Sequence, residues 1–242
     1  MNIFIFEGMT GGIISQFYWK DATNRYSRYF ISGSFFFIEP DLAITTYSNL
    51  SMDRSQNDMV YAEDYFYFDS RQTLFKSSVR EGKGQQCIRL DREWLQEFPD
   101  KNITLIKFTF PISSECFTHM GNSPDADQLV ICEGYGEADF ITVQEDPESI
   151  DFIQVENTQI RKLKLFRQMA NIESIEKEQI NSDSIKIKTL DVFNTDIHFI
   201  PSMSGGPILD TKGKEVLGIL SHAHDDPYSS QKFKGIQMNW SG

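Results

Sequence analysis

Cysteine is scarce in this chain of 242 residues, with Cys87, Cys116 and Cys132 the three present. An odd number without metal-type spacing argues against a disulfide framework and a zinc site, and it fits a reducing, cytoplasmic setting. Basic residues are also short. There are 23 Lys and Arg against 35 Asp and Glu, a formal charge of -12, so neither nucleic acid nor an anionic membrane is expected as the main partner. No apolar run approaches the length of a membrane span. The opening Met1-Asn2-Ile3-Phe4-Ile5-Phe6-Glu7 lacks the basic region and cleavage site of a secretory leader. Histidine, the residue that moves protons near neutral pH, occurs four times, at 119, 198, 222 and 224.

What the chain does have is apolar and aromatic content, 40% and 13%, enough to bury a sizeable core as one large all-β domain or two small packed units. Short runs rich in β-branched and aromatic residues recur between turn signals. Ser34 to Ile38 and Leu42 to Tyr47 flank Glu39-Pro40-Asp41 and predict a hairpin. Tyr65 to Phe68, Gln86 to Leu90 and Ile103 to Phe110 extend the pattern, and Asp91 to Phe98 reads as a short helix capped by Asp91 and ended by Pro99. The polar segment Ser113 to Gln128 reads as a connector.

Beyond it come Leu129 to Cys132, Phe140 to Val143, Ile185 to Leu190, Pro207 to Leu209, Val216 to Leu220 and Phe233 to Met238, with Asp210-Thr211-Lys212-Gly213 as a hairpin turn. Thr158 to Ile180 is open between helix and strand. Ile160, Leu163, Phe166 and Met169 recur at helical spacing while Leu163-Lys164-Leu165 alternates.

The most specific stretch is Ser202-Met203-Ser204-Gly205-Gly206-Pro207. It is followed by Ile208-Leu209-Asp210, Lys212-Gly213 and Val216-Leu217-Gly218-Ile219-Leu220-Ser221. This succession resembles the nucleophile loop of the trypsin and chymotrypsin-like serine proteases, Gly-x-Ser-Gly-Gly-Pro, then strand, Gly-bearing turn and a strand ending Gly-Ile-Val-Ser. Leu129 to Gly136 resembles the strand and Gly-Trp-Gly element of the family's second barrel. The resemblance implies two packed six-stranded antiparallel β-barrels with few short helices, an N-terminal half over 1–120 and a C-terminal half over 121–242.

In that family an imidazole, oriented by a carboxylate, activates the serine hydroxyl, which is otherwise a poor nucleophile near neutral pH. Ser204 takes the nucleophile position, and the amides of Ser202 and Ser204 are expected to form the oxyanion hole. Ser202 stands where the family has Gly, and Met203 where secreted members carry the aspartate used in zymogen activation. The segment Gly33 to Ser48 resembles the one that ends in the catalytic histidine, and Ser48 falls on that position, or Tyr47 after a shift by one. Asn102-Ile103-Thr104-Leu105-Ile106-Lys107-Phe108 resembles the segment opened by the triad aspartate, which makes Asn102 its counterpart, with Asp100 two residues before it.

The resemblance further implies substrate-binding positions at His198, on the floor of the specificity pocket, at Ser221, which buttresses the acidic member, and at His222 beside the cleft. With Asn102 opposite, Ser221 is expected to pair as a neutral remnant. His119 and His224 read as loop residues.

Two functions follow. One is a catalytically impaired pseudoprotease that binds a peptide or protein partner, because loss of the base alone costs on the order of 10⁶ in turnover. The other is an active serine endopeptidase using Ser204 with a non-standard base, His222 or His198, with activation by a partner as one form of it. Neither requires a cofactor or metal.

Overall fold

The computed structural model describes residues 3–6, 9–19, 27–51, 59–67, 73–76, 87–109, 111–113, 115–117, 119–122, 124–137, 152–155, 158–161, 163–182, 185–195, 201–221 and 233–236. The strand expected over Phe140 to Val143 and the histidines at 198, 222 and 224 lie outside them.

The strands of the first part are β1 (Ile3–Phe6), β2 (Thr10–Trp19), β3 (Ser27–Glu39), β4 (Leu42–Thr46), β5 (Met59–Tyr67), β6 (Thr73–Lys76), β7 (Cys87–Arg89), β8 (Leu95–Phe98) and β9 (Ile103–Lys107). Those of the second part are β10 (His119–Met120), β11 (Leu129–Glu137), β12 (Phe152–Val155), β13 (Thr158–Arg161), β14 (Leu163–Ser182), β15 (Ile185–Thr195), β16 (Pro207–Leu209), β17 (Glu215–Ser221) and β18 (Phe233–Ile236). One α-helical turn, α1 (Tyr47–Leu50), follows β4.

The all-β class expected from the sequence is what the chain adopts, and among the described residues each of the two large sheets has seven strands. The N-terminal sheet runs β7-β5-β2-β3-β4-β9-β8 and stays open among the described residues. The C-terminal sheet runs β10-β17-β16-β11-β14-β15-β18, and pairing of β17 with β18 closes six of its strands into a ring. The seventh, β10, adds a short parallel pairing on β17, inside the segment read as a connector.

Alternation explains how the two sheets are packed. Phe35 and Phe37 point into the core of the N-terminal sheet with Ile13, Phe66, Ile106 and Phe108. Phe36, one residue out of phase, points the other way and meets Leu209, Val216 and Ile219 of the C-terminal sheet. Successive side chains on a strand alternate faces, so a run of three phenylalanines serves two cores. Each fully buried ring removes enough apolar surface to stabilise by about 2 to 3 kcal/mol. On β2 the same holds for Ile13 and Ile14, the second of which packs with Tyr135 and Leu163 across the junction.

The β3–β4 hairpin turns at Pro40 and Asp41, as its turn residues predict. Two local readings are corrected. Asp91 does cap a turn, accepting from the Glu93 amide at 3.0 Å, but this is a 3-10 turn over Arg92–Trp94. Leu95–Phe98 is then a strand, because it pairs with β9 while Pro99 forbids a continuing helix. The β4 strand ends one residue early, at Thr46, and Tyr47 opens α1. In the ambiguous stretch from Thr158, β13 and β14 are extended, β14 being hydrogen-bonded to both β11 and β15. Pairing on both sides outweighs a weak helical period. Among the described residues no helix is long and apolar enough to cross a membrane.

Candidate functional site

The Ser204 loop lies where the two sheets meet. Pro201–Met203 winds as a 3-10 turn, and Gly205 then takes a positive φ of 86° that redirects the chain into β16. The Gly205 amide donates to Leu220 O at 2.7 Å and the Leu220 amide to Gly206 O at 2.8 Å, which fastens the loop to β17. Met203 is buried in the C-terminal core among Val130, Cys132, Phe166 and Leu220. A thioether there anchors the turn in apolar surroundings, where an aspartate would be left without water.

The N-terminal sheet grips the loop through short polar side chains. The Ser34 amide donates to Ser204 O at 2.7 Å and Ser34 Oγ to Ser202 O at 2.8 Å. Ser34 Oγ also accepts from the Tyr135 amide of β11 at 2.8 Å, so one serine joins both sheets and the loop. Thr45 Oγ1 donates to Ser34 O at 2.6 Å, and Asn49 Nδ2 on α1 donates to Ser204 O at 2.8 Å and to Thr45 Oγ1 at 3.0 Å. The fit is tight enough that a methyl on Gly205 would collide with Ser34 O and the Thr45 hydroxyl.

Ser204 is 2% exposed, and its Oγ lies 3.2 Å from Thr46 Oγ1. Ser48 Oγ donates to the same Thr46 oxygen at 3.4 Å. That leaves the Thr46 hydroxyl hydrogen free to point at Ser204 Oγ. Asn102, in the left-handed conformation at φ 50° and ψ 40°, closes the row. Its Oδ1 accepts from the Ser48 amide at 3.2 Å, its Nδ2 donates to Ser221 Oγ at 2.9 Å, and its carbonyl accepts from the Tyr47 amide at 3.1 Å.

Ser204, Ser48, Asn102 and Ser221 are thus brought together in one row from four separate segments. Ser202 sits beside them, 7% exposed, inside the 3-10 turn. Such a turn closes on its own amides through i to i+3 hydrogen bonds. His198 and His222 fall outside the described residues. His119, the histidine that is described, is exposed on β10 in register with Glu215. Among the described residues no three His, Cys, Asp or Glu side chains are grouped to hold a metal ion.

Sequence reasoning missed Ser34, Thr45, Thr46 and Asn49. The two threonines read as ordinary β-branched strand formers, and Ser34 as a small residue before an aromatic run. What they share is polarity at depth, since all four are 4% exposed or less. Hydroxyl and amide groups at such depth have to be hydrogen-bonded.

No sequence-family model matches the chain, and no curated protein matches it in sequence. Solved structures do match. A protease from M. tuberculosis in its active form superposes with a TM-score of 0.54 at 13% identity, covering 96% of this chain and 77% of that one. The inactive form of the same protease gives 0.51 at 13% identity, with 93% and 82% covered. The HtrA-type protease AlgW with a decapeptide gives 0.55 at 11% identity, over 96% of this chain and 62% of that one. At such identities the likeness concerns the path of the backbone, and it agrees with the loop, turn and strand succession around Ser204. The chain has the trypsin-like serine protease fold.

Proposed function

We propose that this protein is a trypsin-fold pseudoprotease that binds a peptide or protein partner in the cleft between residues 1–120 and 121–242. The observation that carries the reading is the 3.2 Å contact between Ser204 Oγ and Thr46 Oγ1. A catalytic serine needs a neighbour that accepts its proton, and the ideal base has a pKa near the working pH. Either hydroxyl can be the donor in this contact, and whichever way the bond runs a threonine hydroxyl is not a base near neutral pH. The positions that would supply the base and its orienting acid carry Ser48 and Asn102, an alcohol and an amide with no charge between them.

In this reading Ser204, Ser48 and Asn102 mark the former catalytic positions, Ser202 and Ser204 the former oxyanion site, and His198, Ser221 and His222 the positions that correspond to substrate binding. A peptide partner is supported by the fold and by AlgW, which was solved with a decapeptide.

A fluorophosphonate probe tests the loss of catalysis. No Ser204-dependent labelling is expected between neutral and alkaline pH, with Ser204→Ala as the control. Labelling that the Ala variant abolishes would refute the pseudoprotease reading and favour a base at His222 or His198. Binding is tested by panning a random peptide library against the chain. Enriched peptides should lose affinity for a Ser48→Trp variant, whose indole fills the cleft, and a library that yields none would sink the binding half.

A further inference from the structure

Three consecutive residues of β11, Glu133-Gly134-Tyr135, touch both sheets and the Ser204 loop at once. The Glu133 carboxylate is buried, with a side-chain exposure of 8%. Its Oε1 accepts from Thr10 Oγ1 of β2 at 2.6 Å, and its Oε2 pairs with Arg167 Nε of β14 at 3.2 Å. Arg167 in turn reaches over the β16–β17 turn, where a Cβ on Gly213 would lie 2.5 Å from its Nη2.

The backbone of the same three residues faces the loop. A Cβ on Gly206 would collide with Glu133 O, and one on Gly134 would lie 2.7 Å from Met203 Cα. The Tyr135 amide is the donor that holds Ser34, whose hydroxyl holds Ser202 O. No room remains for even a methyl group between β11 and the loop, so a shift of Glu133 has to be felt at Gly206.

A buried carboxylate is tolerated only while it is paired and hydrogen-bonded. Glu133 meets that need with one hydroxyl from the N-terminal sheet and one guanidinium from the C-terminal sheet. The carboxylate is therefore fully paired only while β2 is seated against β11. We propose that Glu133 is a positioning residue that couples the seating of the N-terminal sheet to the conformation of the Ser202–Gly206 loop. The coupling stands whether or not the cleft takes a peptide.

Native-state hydrogen exchange on the full chain tests it, read at the Gly205 and Gly206 amides, which donate to Leu220 O and Met203 O. Glu133→Ala should speed exchange at both by about tenfold or more, while Phe35 and Ile106 in the N-terminal sheet stay within about twofold of wild type. Glu133→Gln keeps an acceptor for Thr10 and should restore most of the protection. Thr10→Val, which removes the partner and leaves the carboxylate, should loosen the same two glycines. Equal acceleration everywhere in Glu133→Ala would reduce Glu133 to a general stability residue. Wild-type exchange at both glycines in Thr10→Val overturns the coupling, whether or not the Ala variant folds.

Discussion

Thr46 Oγ1 lies 3.2 Å from Ser204 Oγ, across a junction that separates the two residues by 158 positions in the chain. Thr46 is the last residue of β4 and fully buried, so its hydroxyl has few partners to choose from. The contact satisfies both hydroxyls and gives Ser204 a neighbour that does not take up a proton near neutral pH.

Replacing Thr46 by valine keeps the shape and removes the hydroxyl. The variant should lose about 1 kcal/mol in urea denaturation, because the Ser204 and Ser48 bonds go with it. Fluorophosphonate labelling of Ser204 should stay at background. Strong labelling in this variant would mean that Thr46 masks a serine that already has its base.

Ser48→His combined with Asn102→Asp restores the two missing chemistries at positions that are already linked, since Asn102 Oδ1 accepts from the Ser48 amide at 3.2 Å. Ser204-dependent labelling should rise at least about 100-fold over wild type, the lower end of what a positioned base supplies. Labelling that stays flat would locate the defect in the wound Ser202–Gly206 loop.

Gly205 has a φ of 86°, and a Cβ there would lie 2.6 Å from Asn49 Nδ2 and closer still to Ser34 O and Thr45 Oγ1. Gly205→Ala should cost about 3 kcal/mol or more. Gly213→Ala is the comparison, with φ 68° but only the mobile end of Arg167 in the way. It should cost about 1 kcal/mol, the strain of the backbone alone. Equal losses in denaturant titrations would contradict the close approach at Gly205.

The Tyr61 phenol is pushed up from 10.0 to about 12, first by burial and then by the charge and hydrogen bond of Asp64, against the opposing pull of Arg92. Its hydroxyl donates to Asp64 Oδ2 at 2.8 Å and accepts from Arg92 Nη2 at 2.6 Å. A raised folded-state value means stability that is complete below pH 10.0 and lost as pH climbs toward about 12. Tyr61→Phe should abolish that alkaline decline relative to wild type. Parallel stability curves for the two proteins over this range would be the contrary result.

The Asp210 carboxyl is held below its ordinary value. Burial is the largest single influence and raises it, but the amide hydrogen bonds from Glu215, Lys214 and Lys212, with the charge of Lys212, together outweigh it. The bonds from Lys214 and Glu215 are 2.7 and 2.9 Å long and organise the hairpin before β17. A depressed value gives stability that is present above about pH 4 and lost as pH falls through the lower native one. The stability gap between wild type and Asp210→Ala should therefore narrow in acid. A gap that is constant down to pH values below about 3 would assign the effect to shape alone.

Much of the site was legible without coordinates because its signals are local. The succession from Ser202 to Ser221 carries a glycine where φ must be positive, a proline where a strand begins, and a turn built around Asp210 and Gly213. The pairing of Asn102 with Ser221 was also expected, and they meet at 2.9 Å. Leu95–Phe98 misled because Asp91 is a real cap, and nothing within ten residues announces that β9 will take the next four as an edge strand.

The sequence by itself therefore determined the all-β class, the hairpin positions and the segments that frame Ser204, since alternation and turn chemistry act over a few residues. The tertiary structure decided what those segments do to one another. Thr46 reaches Ser204, Ser34 ties Ser202 to Tyr135, and Glu133 stands between Thr10 and Arg167. Each of these links joins a short polar side chain to a segment remote in the chain, at depths where every hydrogen-bonding group has to find a partner. Which partner it finds follows from how the two sheets pack, and no local pattern of residues encodes that.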